Sequence, residues 1–178
     1  MRPDVILTIG HSTHPIEEFL ALLRAHGIEQ LIDIRTIPKS RRNPHFNREE
    51  LAAALKAAHI RCQHIPGLGG LRHPRKDSTN TAWKNASFRG YADYMQTPQF
   101  DESLRTLIET ASQHRTTIMC AEAVPWRCHR SLVADALTAR GIPVEHIMSE
   151  TASKPHAYTP FARIEGETVT YPGSPLVL

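Results

Sequence analysis

The chain of 178 residues is 40% hydrophobic and 22% charged, the balance of a folded globular protein of one domain's size. It holds no run of about 18 apolar residues, and Met1-Arg2-Pro3-Asp4 begins no apolar leader, so the expectation is a cytoplasmic protein with no membrane partner. A surplus of 21 Lys and Arg over 18 Asp and Glu leaves only +3, too little to mark a nucleic-acid binder by charge alone, and three cysteines without an export signal argue for free thiols.

Val5-Ile6-Leu7-Thr8-Ile9, closed by Gly10, is a β-branched apolar run suited to a strand buried on both faces. Pro15 fits the first turn of a helix, Ile16, Phe19, Leu20 and Leu23 recur at helical spacing, and Gly27 supplies a left-handed stop. Leu31-Ile32-Asp33-Ile34 reads as a second buried strand. Asn47 is placed to cap the next helix with support from Glu50, and Leu51, Ala54, Leu55 and Ala58 form its inner stripe. A weaker strand spans 62–65. The irregular stretch 66–85 is long enough to count as a functional loop.

Helical spacing then links Phe88, Tyr91 and Met95, and again Phe100, Leu104, Leu107, Ile108 and Ala111. Thr116-Thr117-Ile118-Met119-Cys120 is the fourth strand, 130–140 a helix with Leu132, Val133, Ala136 and Leu137 inward, and Val144-Glu145-His146-Ile147 the fifth strand. Strands alternating with helices predict an α/β fold: one domain over 1–149, with a mostly parallel five-stranded sheet flanked by helices. Residues 150–178 read as a C-terminal extension packed on the same domain. It contains a short hairpin of Phe161-Ala162-Arg163-Ile164 and Thr168-Val169-Thr170-Tyr171.

In such a sheet ligands bind beyond the carboxyl ends of the strands. That edge collects His11 and Ser12, then Asp33 and Arg35, then Lys39, Ser40, Arg41 and Arg42, then Gly69, Gly70 and Arg72, and finally Glu122, Arg127, Cys128, His129 and Arg130. The acids fall mostly in helices, so the edge is far more positive than the whole chain, which suits an anionic partner. Asp33 and Arg35 point the same way on an extended chain and read first as a structural pair. Cys120, beside Arg127 and the start of a helix, is a candidate nucleophile, and Glu122 a candidate proton carrier, with a salt bridge to Arg127 or Arg130 as its plainer role.

The Cys120 loop is similar in shape to those of rhodaneses and cysteine phosphatases. It departs from both: the spacing to Arg127 is Cys-x6-Arg, Pro125 removes an amide donor, and Glu122 adds a negative charge. No close Cys-x-x-Cys or His-x3-His pair lies in this segment, so no metal is expected. No strand-Gly-x-Gly-x-x-Gly-helix or Walker pattern occurs, so no cofactor is expected either. Trp83, Phe88, Tyr91 and Tyr94, interleaved with Lys84 and Arg89, suit either base stacking or, at helical spacing, the core.

Taken in order, Thr8-Ile9-Gly10-His11-Ser12, Asp33-Ile34-Arg35, Pro38-Lys39-Ser40-Arg41, Leu68-Gly69-Gly70, Met119-Cys120-Ala121-Glu122 and Cys128-His129-Arg130 resemble the family called domain of unknown function 488. The resemblance implies a compact bacterial or archaeal α/β domain. It brings no assigned activity, although some members carry a DNA-repair label. The expectation is an enzyme acting on a phosphate compound, nucleotide or nucleic acid, with Cys120, Glu122 and His11 as reactive groups. Ser12, Asp33, Arg35, Ser40, Arg41, Gly69, Gly70, Arg72, Arg127, Cys128, His129 and Arg130 surround the substrate in that reading. The alternative is a nucleic-acid-binding module without chemistry. The oligomeric state is left open.

Overall fold

The computed structural model describes residues 1–174; Pro175 and the rest of the expected extension lie outside the described residues. Eight strands and five helices follow one another as β1 (Ile6–Gly10), α1 (Ile16–Ala25), β2 (Gln30–Asp33), α2 (Arg48–Ala57), β3 (Arg61–His64), α3 (Ala86–Tyr94), α4 (Pro98–Ala111), β4 (Thr116–Cys120), α5 (Arg130–Ala139), β5 (Val144–Ile147), β6 (Ser153–Pro155), β7 (Arg163–Glu165) and β8 (Thr168–Thr170). Single 3-10 turns at Pro44–Phe46, Pro66–Leu68 and Pro125–Arg127 begin with proline, whose fixed φ suits a first helical position.

The main sheet has the order β3-β2-β4-β1-β5-β6. The first five strands are parallel, and β6 runs antiparallel to β5 at the edge. The mostly parallel α/β sheet is therefore as expected, with one strand more than the sequence indicated. Ser153, Lys154 and Pro155 are all exposed, so β6 has no apolar pattern to announce it. Its ladder to β5, together with the burial of Val169 and Tyr171 against the core, joins residues 153–171 to the sheet.

Alternate residues of each strand face opposite layers. Leu7, Ile9, Leu31 and Met119 pack on α1 and α2 through Phe19, Leu23, Leu51 and Leu55. Ile6, Ile32, Ile118 and Cys120 pack on α3, α4 and α5 through Tyr91, Phe100, Leu104, Leu132 and Val133. Gly27 takes φ +67° after α1, the left-handed stop its position predicts. Asn47 precedes α2 without capping it by its side chain, because its Oδ1 accepts from the Ser40 amide at 2.7 Å and so ties the basic loop to the helix.

A dithiol cavity at the carboxyl edge of the sheet

A cavity of about 440 Å³ opens beyond the carboxyl ends of β2 and β4. Thr36, Ile37 and Lys39 form one wall, Gly70 and Leu71 a second, and Phe88 and Tyr91 of α3 a third. Cys120, Glu122, Arg127, Cys128 and His129 complete it from the β4–α5 connection. The β1–β4 ladder runs on past the strands, with the His11 amide on Cys120 O and the Ser12 amide on Ala121 O, both at 2.9 Å. A Cβ at Gly10 would overlap the Glu122 carbonyl, so glycine there allows the connection to fold back across β1.

Both cysteines are buried; Cys120 Sγ lies 3.6 Å from Glu122 O, Cys128 Sγ lies 3.3 Å from His129 Nδ1, and the Cys128 hydrogen can instead turn to Cys120. Burial pushes the Cys120 thiol up, but the bond from Cys128, the Arg130 guanidinium and the Glu122 backbone outweigh it, even against the Glu122 carboxylate, and hold Cys120 below the usual thiol range. Cys128 is pushed well above that range by the same bond, by burial and by the charge on Cys120. His129 donates from Nε2 to Ile34 O at 2.9 Å, which leaves Nδ1 as an acceptor facing Cys128 Sγ at 3.3 Å. Burial lowers the pKa of that imidazole. Cys128 thus lies between Cys120 and an imidazole lone pair, with one hydrogen to offer to either.

Arg130, 1% exposed, lies beneath this pair. It donates to Thr8 Oγ1 at 3.3 Å and to the Glu122 and Ala123 carbonyls, each at 3.1 Å, while its Nε has no partner. It makes no ion pair with a carboxylate among the described residues. The sequence left two partners open for Glu122; the structure gives Arg130 the Glu122 backbone oxygen and leaves the carboxylate exposed.

A chain of single hydrogen bonds runs on from Arg130. Thr8 Oγ1 meets His146 Nδ1 at 2.6 Å, His146 Nε2 meets His156 Nδ1 at 2.9 Å, and His156 Nε2 meets Asp135 Oδ1 at 2.7 Å. With an arginine at one end and a carboxylate at the other, a run of donors all pointing toward Asp135 satisfies each of these bonds with both imidazoles neutral. Sequence reading passed over this chain. Its members are far apart along the polypeptide, and only the buried Asp135 in the middle of an apolar helix signals it.

The remaining expected residues separate into distinct settings. Arg35 donates through Nε and Nη2 to Asp33, with Nη2 to Oδ2 at 2.8 Å, and also to Phe46 O at 2.7 Å. The pair is buried, as its spacing predicts; Arg35 borders the cavity with its guanidinium occupied by Asp33 and Phe46 O. His11 stacks on Phe46 at 4.3 Å and accepts from Arg35 at Nε2. It packs away from the cavity. Ser12 takes φ +47° in the turn after β1, and Ser40 Oγ accepts from the Asn43 amide. Arg72 lies 3.7 Å over the Tyr94 ring and donates to Gly69 O. Gly69 and Gly70 are needed for close approach, since a Cβ would overlap Thr36 at the first and come to 3.2 Å of His129 Nδ1 at the second. Arg41 is exposed and outside the cavity wall. Sequence reading missed Thr36, Ile37 and Leu71 as wall residues; the exposure of the two large apolar side chains is the physical sign of a site.

No helix among the described residues is long and apolar enough to cross a membrane. No group of three or more His, Cys, Asp or Glu side chains among the described residues is arranged to hold a metal ion. No curated protein matches the chain, and no solved structure does. The family model described as Domain of unknown function DUF488 matches residues 15–137, which takes in every motif quoted for that resemblance except the first, around Gly10. With more than half of its length inside that match, the chain belongs to the family Domain of unknown function DUF488.

Proposed function

We propose that the protein is an enzyme whose Cys120 thiolate attacks an electrophilic phosphorus, sulfur or carbon centre of an anionic substrate, a phosphate compound, nucleotide or nucleic acid. The observation that carries this reading is Arg130, a buried cation that meets only neutral oxygens and an adjacent thiol. A buried charge without a counter-ion is costly, and a thiolate at Cys120 compensates it. Lys39 and Arg127 reach the cavity from two sides as exposed cations and take the substrate's charge. Arg35, Arg41 and Arg130 are not needed for that task.

In the first half-reaction Cys120 Sγ forms a bond to the electrophile and the leaving group departs with the bonding pair. In the second, an acceptor hydroxyl or water gives its proton to the Glu122 carboxylate and displaces the thiolate, which Cys128 receives again as a hydrogen-bonded anion. His129 keeps Cys128 oriented for this.

Thiolate absorbance, titrated in the native protein and in Cys120→Ser, tests the proposal. The difference is expected to show a midpoint below the value of about 8.5 for a free cysteine. Arg130→Met is expected to raise it and to cost about 2–4 kcal/mol in urea unfolding through three unpaired acceptors, whereas Arg130→Lys keeps the charge and most of the shift. A midpoint at or above that of a free cysteine rejects the nucleophile.

Arg41 and Arg42 favour a second reading, a nucleic-acid-binding module, because both are exposed and neither is in an ion pair among the described residues. Under that reading affinity for a duplex falls steeply with salt, and Arg41→Ala with Arg42→Ala flattens the slope.

A further inference from the structure

On the far side of the Pro125–Arg127 turn lies a second cavity of about 420 Å³. Trp83, Trp126, Tyr158 and Phe161 supply four aromatic rings, and Lys154, His146 and His156 its basic groups. No Asp or Glu lines it. Four of the protein's exposed large hydrophobic side chains gather here, with Trp126 at 62% and Phe161 at 41% exposure. Trp83 and Phe161 meet edge to face at 4.8 Å, so the rings form a shaped wall. The indole N–H of Trp83 has no acceptor in the protein.

Each of these features restricts the ligand. Exposed rings gathered in a concavity of a few hundred Å³ are the mark of a small-molecule or single-residue site rather than of a broad protein interface. Without a carboxylate in the wall nothing offers to pair with a cation, which disfavours amines and zwitterions. His146 is neutral, since burial, then His156, Arg130 and Lys154, lower its pKa to about 3, and His156 is tied to the Asp135 carboxylate at 2.7 Å, so Lys154 is the lining cation left for a ligand's charge. A planar π-system joined to one anionic group matches such a wall, the plane on Trp126 and the anion at Lys154.

We propose that this cavity is a second binding site, for a nucleoside monophosphate unit, either free or as one residue of a single strand. It is separate from the dithiol cavity and does not rest on the reaction proposed there. The sequence has two tryptophans and both line this cavity, so intrinsic fluorescence reads the site directly.

The test titrates the native protein with AMP, adenosine, inorganic phosphate and a short single-stranded oligonucleotide. Saturable quenching by AMP is expected, with adenosine and phosphate each at least about tenfold weaker, the worth of one lost charge-assisted or stacking contact. Lys154→Ala, on an exposed edge strand, is expected to weaken AMP by a similar factor while leaving adenosine unchanged. Trp126→Leu is expected to weaken both. Cys120→Ser is expected to change neither, which keeps this site distinct from the thiol. An oligonucleotide that binds more tightly than AMP assigns the site to a strand, and equal affinity assigns it to the free nucleotide. No saturable response, or Lys154→Ala indistinguishable from the native protein with AMP, overturns the proposal.

Discussion

His11 and His146 are buried imidazoles that the fold keeps without a proton. Burial first, then the Arg35 and His45 charges, lower His11 from the usual 6.5 to about 4, against the opposing influence of Ser12 O and Asp33. Burial, His156, Arg130 and Lys154 take His146 to about 3. In the unfolded chain each imidazole binds a proton near 6.5, so below that pH unfolding takes up protons that the folded protein refuses. Their contribution to stability is complete above about 6.5 and is lost as the pH falls toward the folded values. The urea midpoint is therefore expected to drop between about pH 7 and pH 5, and His146→Gln is expected to flatten that drop. An unchanged slope in this variant rejects the neutral assignment. At this scale the sequence discloses what depends on near neighbours: the i, i+2 spacing of Asp33 and Arg35 is enough to predict their pair. The partners of Arg130 are carbonyls of a folded-back connection, and no spacing rule reports them.

The β4–α5 connection brings Glu122, Arg127 and Cys128 to one cavity with Cys120, and it does so by crossing β1 at Gly10. Gly10→Ala is expected to shift the Glu122 carbonyl, to lower stability by about 1–3 kcal/mol through overpacking, and to disturb the two carbonyl bonds of Arg130. Thermal unfolding and the Cys120 thiolate titration measure both effects, and an alanine variant equal to the native protein in each would show that the connection is free to move. Elements were legible where their apolar residues repeat. β1, α1, β2 and β4 are buried on a sheet or along a stripe, and the pattern survives in the sequence. Phe88, Tyr91 and Met95 pack against the core as their spacing predicts, and Phe88 and Tyr91 also line the dithiol cavity. β6 was hidden because an exposed edge strand, held by its ladder and by Ser153 Oγ on the Glu145 carboxylate at 2.6 Å, needs no apolar pattern.

Across the whole molecule, the chain places β4 between β1 and β2, with β3, whose connection supplies Gly70 and Leu71, on the far side of β2. This topology was legible as a class from the alternation of strands and helices, whereas strand order, which decides which loops meet, depends on crossovers that leave no local signature. Asp135 extends the same organisation to the last described residues: it accepts from Thr159, His156 and Tyr171 at 2.7 Å each and so holds the tail against α5. Hydrogen exchange is expected to be slowest in β4, by way of global opening, and fast in residues 71–85, by way of local opening. Comparable rates in the two segments would contradict this arrangement. Because β4 has a ladder on each flank, the sulfur of Cys120 is fixed to the part of the protein that comes apart last. A ligand of this cavity would therefore have to fit itself to a sulfur held in the middle of the sheet, and any adjustment would fall to the connections around it.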